Sequence, residues 1–304
     1  MADDPHIVGA TSRGFNVTSS NNGIHHISVG DIGVTALSDG QFEASLDWVV
    51  GVDAATCASL ESGAFRALPP RITVSCFLLS IGDRRVLVDI GFGDLRGPAF
   101  GHARRSLDAL GIAPGDIDTV LITHAHVDHV SGLVDAAGAA YFPKAELVLH
   151  EAETAYWLDD ANLSAADDSA KEGFATARRA LGPYAGRTRT VRDGAEALPG
   201  VRASHLPGHT PGHTGWLVGG GADSLLIWGD VVHLPGIQFA RPDAGMGFDV
   251  DVELGRKSRA RAFDMAAADK ILVAGMHLDF PTFGHVARTA GGYAFVPKVW
   301  TPQA

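Results

Sequence analysis

The sequence predicts an α/β fold built from mixed sheets with helices outside them. Two observations lead there. Apolar runs of strand length recur along the chain. Some are joined by two-residue turns, which pair strands antiparallel, and others by helical patterns, which imply parallel crossovers. No internal repeat or low-complexity linker divides the 304 residues, so a single main domain is expected.

Residues 1–26 are rich in Asn, Ser, Gly and Thr and lack periodicity, so they read as a loosely ordered arm before a domain spanning 27–304. "ISVGDIGVTALSDG" (27–40) reads as a hairpin turning at Gly30-Asp31. Residues 42–70 read as irregular and end at Pro69-Pro70. "ITVSCFLLSI" and "RVLVDIG" are strands joined at Gly82-Asp83, a strong hairpin signal. "FGHARRSLDALG" is an amphipathic helix closed by Gly111. "TVLIT" and "ELVLH" are short apolar strands, followed by helical patterns near 151–159 and 166–181. "SLLIWGD" and "KILVAGMH" are strands again, with a helix over 251–268 between them.

Lys and Arg number 24 against 35 Asp and Glu, giving a net charge of −11. That disfavours a nucleic-acid partner, because neutralising phosphates needs a basic surface. The one basic cluster, "RKSRAR" (256–261), reads as the wet face of a helix. Cys57 and Cys76 make no disulfide framework, and Cys76 in "ITVSCFLLS" reads as a small buried side chain. No run of about 18 uncharged apolar residues is present, so no membrane partner is expected. The opening "MADDPHIVGATSRG" lacks a basic segment followed by an apolar one. As given the chain reads as cytoplasmic, with the periplasm open if a leader was removed.

The chemistry concentrates in "THAHVDH", where His124, His126, Asp128 and His129 follow an apolar strand in the spacing H-x-H-x-D-H. Imidazoles and carboxylates suit zinc and other borderline divalent metals. One ion takes about four ligands, so side chains diverging from one turn invite two ions and further partners. His209 and His213 in "PGHTPGH", Asp230 ending "SLLIWGD" and His277 ending "KILVAGMH" are the candidates. Spacing alone admits all four.

These motifs in this order resemble the metallo-β-lactamase superfamily. "VGDIGVTALSDG", "LVDIGFG", "AYWLDDANL", "IQFARP" and "HLDFPTFGHV" are similar to its methyl parathion hydrolase branch. The resemblance implies an αββα sandwich with two metal ions at one edge of the facing sheets. It implies that His124, His126 and His209 hold one ion, that Asp128, His129 and His277 hold the other, and that Asp230 bridges them. His213 then falls outside the ligand set, and Asp89 orients a ligand or is structural. Zinc is the default metal, a shared hydroxide is the implied nucleophile, and Asp128 or Asp230 is the candidate proton shuttle. A homodimer is implied as well. Trp157 and Phe174 match positions lining the branch's substrate pocket, Phe174 being as readily a packing residue. Arg96 and His233 stand where the organophosphate-degrading relative has an aromatic and an aliphatic residue, which makes the pocket mouth more polar.

The function expected is hydrolysis of carboxylic esters or lactones, with phosphotriester hydrolysis as a side activity or, alternatively, the main one. Two non-enzymatic readings stand beside it. One is a metal-binding protein without turnover. The other is a dinucleotide site at "VLVDIGFGDLRG", where glycines 91, 93 and 97 sit one residue wide of the fingerprint and no clear βαβ unit follows.

Overall fold

The computed structural model describes residues 23–221 and 223–300. Its first half runs β1 (Ile24–Val29), β2 (Ile32–Glu43), β3 (Val49–Val50), α1 (Ala54–Gly63), β4 (Arg71–Ile81), β5 (Arg84–Val88), α2 (His102–Ala109), β6 (Thr119–Leu121) and α3 (Val127–Val130). It continues through β7 (Glu146–His150), α4 (Glu151–Trp157), α5 (Asp160–Ala165), α6 (Asp168–Leu181) and β8 (Thr188–Val191). The second half holds β9 (Glu196–Leu198), β10 (Val201–His205), β11 (Thr214–Gly220), β12 (Asp223–Ile227), α7 (Pro235–Gln238), β13 (Gly245–Met246), α8 (Val252–Asp269), β14 (Leu272–Ala274), β15 (Gly284–Arg288) and β16 (Tyr293–Pro297).

Alternation along the strands produces the layers. In β4, Phe77 and Leu79 enter one apolar cluster while Cys76 and Leu78 enter another. In β12, Leu225 and Ile227 join the first cluster, and Leu226 joins a third with Trp228 and Phe263. A pleated strand sends successive side chains to opposite faces. A strand covered on both faces therefore reads as a continuous apolar run, as "SCFLLS" and "SLLIW" do. The first cluster lies between the two sheets and the other two lie under helices, which gives four layers, αββα. The sheets have seven strands each, in the orders β1-β2-β4-β5-β6-β7-β8 and β16-β15-β14-β12-β11-β10-β9.

Both expected hairpins form, pairing Val29 with Ile32 and Ile81 with Arg84. Gly30 and Gly82 take φ of 55° and 56° at the turns, where glycine meets no steric penalty. The β5–β6, β6–β7, β7–β8 and β12–β14 pairs are parallel. Their strand ends therefore face one way, at one edge of the sandwich, where open α/β sheets bind ligands.

Several expectations shift. The arm expected over 1–26 lies outside the described residues up to Asn22, but Ile24–His26 already belong to β1. The irregular stretch 42–70 contains α1, capped by Asp53, whose carboxylate accepts the Thr56 N–H at 2.9 Å. Arg259 does not lie on a wet face. It is buried, and its guanidinium donates to the carbonyls of Val231, Pro242 and Ala244. A parallel β5–α2–β6 crossover does follow the glycine cluster. Gly91 and Gly93 serve packing, however, while a Cβ on Gly97 would meet nothing within 4 Å. A Cβ on Gly91 would stand 2.3 Å from the Asp39 carboxyl, and one on Gly93 would stand 2.8 Å from Gly132. Both cysteines are buried and free. Among the described residues no helix is long and apolar enough to cross a membrane.

Candidate metal centre

Every candidate ligand leaves a strand end. His124 follows β6, and His126, Asp128 and His129 sit at and in α3, where the chain turns at once into helix. His209 lies in the β10–β11 loop, Asp230 just after β12 and His277 just after β14. The folded chain gathers them. The Nδ1 of His126 stands 2.9 Å from the Nε2 of His209, which stands 3.2 Å from the Nε2 of His124. His129 Nε2 lies 3.7 Å from Asp128, and His277 Nε2 lies 3.6 Å from the same carboxylate. Asp230 lies between the two groups. Its Oδ2 has the Nε2 atoms of His277, His209 and His124 at 3.0, 3.2 and 3.5 Å, and its Oδ1 is 3.3 Å from His129 Nε2. Donor atoms of His124, His126, His209 and Asp230 fall within 4.8 Å of one another, as do those of Asp128, His129 and His277.

Hydrogen bonds behind the rings aim these atoms. His129 Nδ1 donates to Asp89 at 2.7 Å, His209 Nδ1 to Asp249 at 2.8 Å and His277 Nδ1 to the Thr73 carbonyl at 2.7 Å. Each partner can only accept, so in the neutral ring the Nε2 lone pair faces the shared space. Such bracing is typical of metal-binding histidine. Lone pairs and a carboxylate converging on one space repel unless cations or protons stand between them. Asp230 Oδ1 and His129 Nε2 are both buried and both lack a hydrogen-bond partner. The donor set therefore fits divalent cations, since nitrogen and oxygen ligands of this kind suit them.

The electrostatics match an arrangement waiting for positive charge. Burial lowers the pKa of His209, but Asp230 and Asp249 outweigh it and raise it to about 9. His129 and His277 are likewise raised, against burial, by Asp230 and Asp128. Burial raises Asp230, but His129, His277 and His124 hold it well below the ordinary carboxylate range. Burial pushes His124 and His126 well down.

His213 is excluded by its bonds. Its Nδ1 donates to the Leu206 carbonyl at 2.8 Å, and its Nε2 accepts the Asp230 N–H at 2.9 Å. Both nitrogens are used, and burial with the neighbouring His209 takes its pKa down to about 3.

A cleft of about 1110 Å³ opens above the cluster, with Trp48, Phe92, Phe100, Trp157 and Phe248 in its walls. Trp157 packs edge-on to His126 at 5.6 Å between ring centroids. Arg96 reaches the cleft from an exposed loop, its guanidinium 5.8 Å from the Phe92 ring. His233 is not at the mouth. It is buried on the floor, its Nε2 3.1 Å from Asp230 Oδ2 and its ring stacked on His277 at 5.0 Å. Phe174 does not line the cleft either. It is buried behind Trp157, with ring centroids 4.8 Å apart, and its neighbour Gly173 reaches the wall instead.

Sequence reasoning missed Asp249 and Glu153. Asp249 follows only the two-residue β13, which no apolar run announces, and its 40-residue separation from His209 hides the pairing. Glu153 is wholly buried and accepts from the Ala125 N–H, the Trp157 Nε1–H, the Thr210 hydroxyl and the Gly212 N–H. The available signal was an acid in the first turn of α4, four residues before a tryptophan.

Comparison with known proteins places this geometry in a family. Among solved structures, hydrolase AbOPH in the beta lactamase superfamily superposes with a TM-score of 0.86 at 27% identity, over 92% of this chain and 99% of that one. AidC, a dizinc quorum-quenching lactonase, superposes at 0.85 with 24% identity over 92% and 99%, a likeness of fold. Ribonuclease TTHA0252 of Thermus thermophilus is 35% identical over 144 residues, 45% of this chain and 31% of the relative. Probable metallo-hydrolase Rv2300c of Mycobacterium tuberculosis is 26% identical over 206 residues, 57% of this chain and 61% of the relative. The chain thus spans less than two thirds of the curated relatives it matches. The family model of the metallo-beta-lactamase superfamily matches residues 69–276, a range holding every gathered histidine and aspartate but the last, His277, one residue beyond it, and the chain belongs to that superfamily.

Proposed function

We propose that the protein is a dinuclear metal-dependent hydrolase of carboxylic esters or lactones. The observation that carries this reading is the pair of donor groups on either side of Asp230, at the floor of a large, aromatic-walled cleft. His124, His126 and His209 would hold one divalent ion, Asp128, His129 and His277 the other, and Asp230 both, with zinc the first choice. Bound there, such ions would acidify water and polarise the carbonyl under attack. The chain's own residues do the rest. Asp89, Asp249 and the Thr73 carbonyl hold the imidazoles in the tautomer that presents Nε2. His213 fixes the backbone of Asp230. Asp128, its side chain 13% exposed against 3% for Asp230, is the better placed of the two carboxylates to pass a proton between the floor and the cleft. The aromatic walls hold the apolar part of the substrate and exclude water around it.

A small-molecule substrate is supported by charge. Asp128, Asp167, Glu172, Asp230 and Asp249 line the cleft against Arg96 alone among the lysines and arginines. With Asp128 and Asp230 taken up by the two ions, Asp167, Glu172 and Asp249 still outnumber Arg96, so the walls offer no cationic track for a polyphosphate backbone. Arg96 suits a substrate that develops negative charge as it is attacked. The test is kcat/KM of the metal-loaded enzyme on aryl esters, acyl-homoserine lactones, dihydrocoumarin-like lactones and paraoxon-like triesters. Turnover of esters or lactones well above triesters is expected. Triester turnover with inert esters and lactones would make phosphotriesters the substrate class, and two bound ions without turnover anywhere would favour a metal-binding role.

A further inference from the structure

Glu153 has no place in the ligand set, yet it touches every element around one half of it. Its carboxylate takes four hydrogen bonds. Oε1 accepts from the Ala125 N–H at 2.8 Å, the peptide between His124 and His126, and from the Trp157 Nε1–H at 2.6 Å in the cleft wall. Oε2 accepts from the Thr210 hydroxyl at 2.7 Å and the Gly212 N–H at 2.9 Å, both in the loop that carries His209. Three of these partners can only donate, and burial pushes the pKa of the group up while all four hydrogen bonds favour the carboxylate form. The chain is built for the contact, because a Cβ on Gly212 would stand 2.3 Å from the Glu153 nitrogen. Thr210 and Glu153 are both wholly buried. The rings of the other half rest on different supports, His129 on Asp89 and His277 on the Thr73 carbonyl.

We propose that Glu153 is a positioning residue that locks the His124–His126 turn, the His209 loop and the Trp157 wall into one rigid unit. It thereby sets the affinity of the ion held by His124, His126 and His209, and couples that ion to substrate seated on Trp157. The inference rests on the dinuclear reading above. Charge-assisted bonds of this kind are shorter and stronger than neutral ones, and supports of metal-binding residues commonly matter 10- to 100-fold in affinity. Glu153→Gln is isosteric but turns one oxygen into a donor. The amide would then face either the Ala125 and Trp157 N–H groups, which cannot accept, or the Thr210 hydroxyl, which can turn to accept, beside the Gly212 N–H, which cannot, so either pose leaves at least one N–H without an acceptor.

The experiment is a titration of the metal-free protein with Co²⁺ against a chromophoric chelator, following the cobalt d–d bands of each equivalent, with KM and kcat for an aryl ester alongside. In Glu153→Gln, one equivalent is expected to weaken about 10- to 100-fold with altered bands, the other to stay within about twofold, and KM to rise. Thr210→Val, which removes one bond of the four, is expected to shift the same equivalent in the same direction by less, and it serves where the Gln variant does not fold. A lowered melting temperature with both equivalents bound as in the wild type would overturn the proposal, as would equal weakening of both. Wild-type protein that takes up fewer than two equivalents would instead overturn the dinuclear reading, and this inference with it.

Discussion

Asp89→Asn isolates the other half of the cluster. Asp89 is fully buried at φ 55°, a left-handed position that asparagine tolerates about as well as aspartate. It accepts the Thr123 N–H at 2.8 Å, the Thr123 hydroxyl at 2.6 Å and His129 Nδ1 at 2.7 Å. In the variant the carbonyl oxygen can keep the Thr123 N–H. The amide then faces the hydroxyl, which can rotate to accept, and His129 Nδ1, which must give up its proton to accept. That proton moves to Nε2, the atom 3.3 Å from Asp230 and 3.7 Å from Asp128. A protonated Nε2 has no lone pair for a cation. The cost is that of a lost brace, about 10- to 100-fold in affinity, or about 1.4–2.8 kcal/mol. Competitive chelator titration should find one metal equivalent weakened by that factor and the other unchanged, with kcat reduced in proportion to the lost occupancy. Two equivalents bound with wild-type affinity would refute the argument from tautomers.

Three further outcomes follow from the structure. His209, raised to about 9 from an ordinary 6.5, must release its proton to take a cation. Apparent metal affinity should therefore climb with pH, by up to about tenfold per unit below about pH 9. The sign reverses for the metal-free fold, because a raised histidine pKa stabilises fully below 6.5 and loses that effect as pH rises through about 9. The melting temperature of chelated protein should fall across that window, and a flat profile would contradict the assignment. Phe174→Leu should lower stability by about 1–2 kcal/mol while leaving KM within about twofold, because Phe174 packs behind Trp157 and not in the cleft. A large KM change at unchanged stability would put the ring back in the substrate wall.

Local turn chemistry and uninterrupted apolar runs made the sandwich legible. Gly30-Asp31 and Gly82-Asp83 marked both hairpins, and "TVLIT", "ELVLH" and "SLLIW" marked strands buried on two faces. Strands with weaker patterns escaped. β10 reads "VRASH" and β15 reads "GHVAR", and each is held in register by its neighbours more than by its own composition. Helix α1 escaped because its sequence, "AATCASLESG", has almost no apolar face, and its Asp53 cap is the strongest signal it carries.

The candidate ligands were legible for a different reason, and only to a point. Histidines and aspartates at strand ends are chemically conspicuous, but being conspicuous does not separate a ligand from a support. His209 and His213 sit in the same Pro-Gly-His repeat, and both end up buried beside Asp230. What separates them is where their protons go. His209 gives its Nδ1 proton to Asp249, 40 residues away, and keeps the Nε2 lone pair for the shared space. His213 gives its Nδ1 proton to a carbonyl in its own loop and spends the Nε2 lone pair on the Asp230 N–H. A lone pair committed to a backbone N–H is not available to a cation. The difference is therefore a property of tertiary hydrogen bonding, and no spacing rule within "PGHTPGH" can express it.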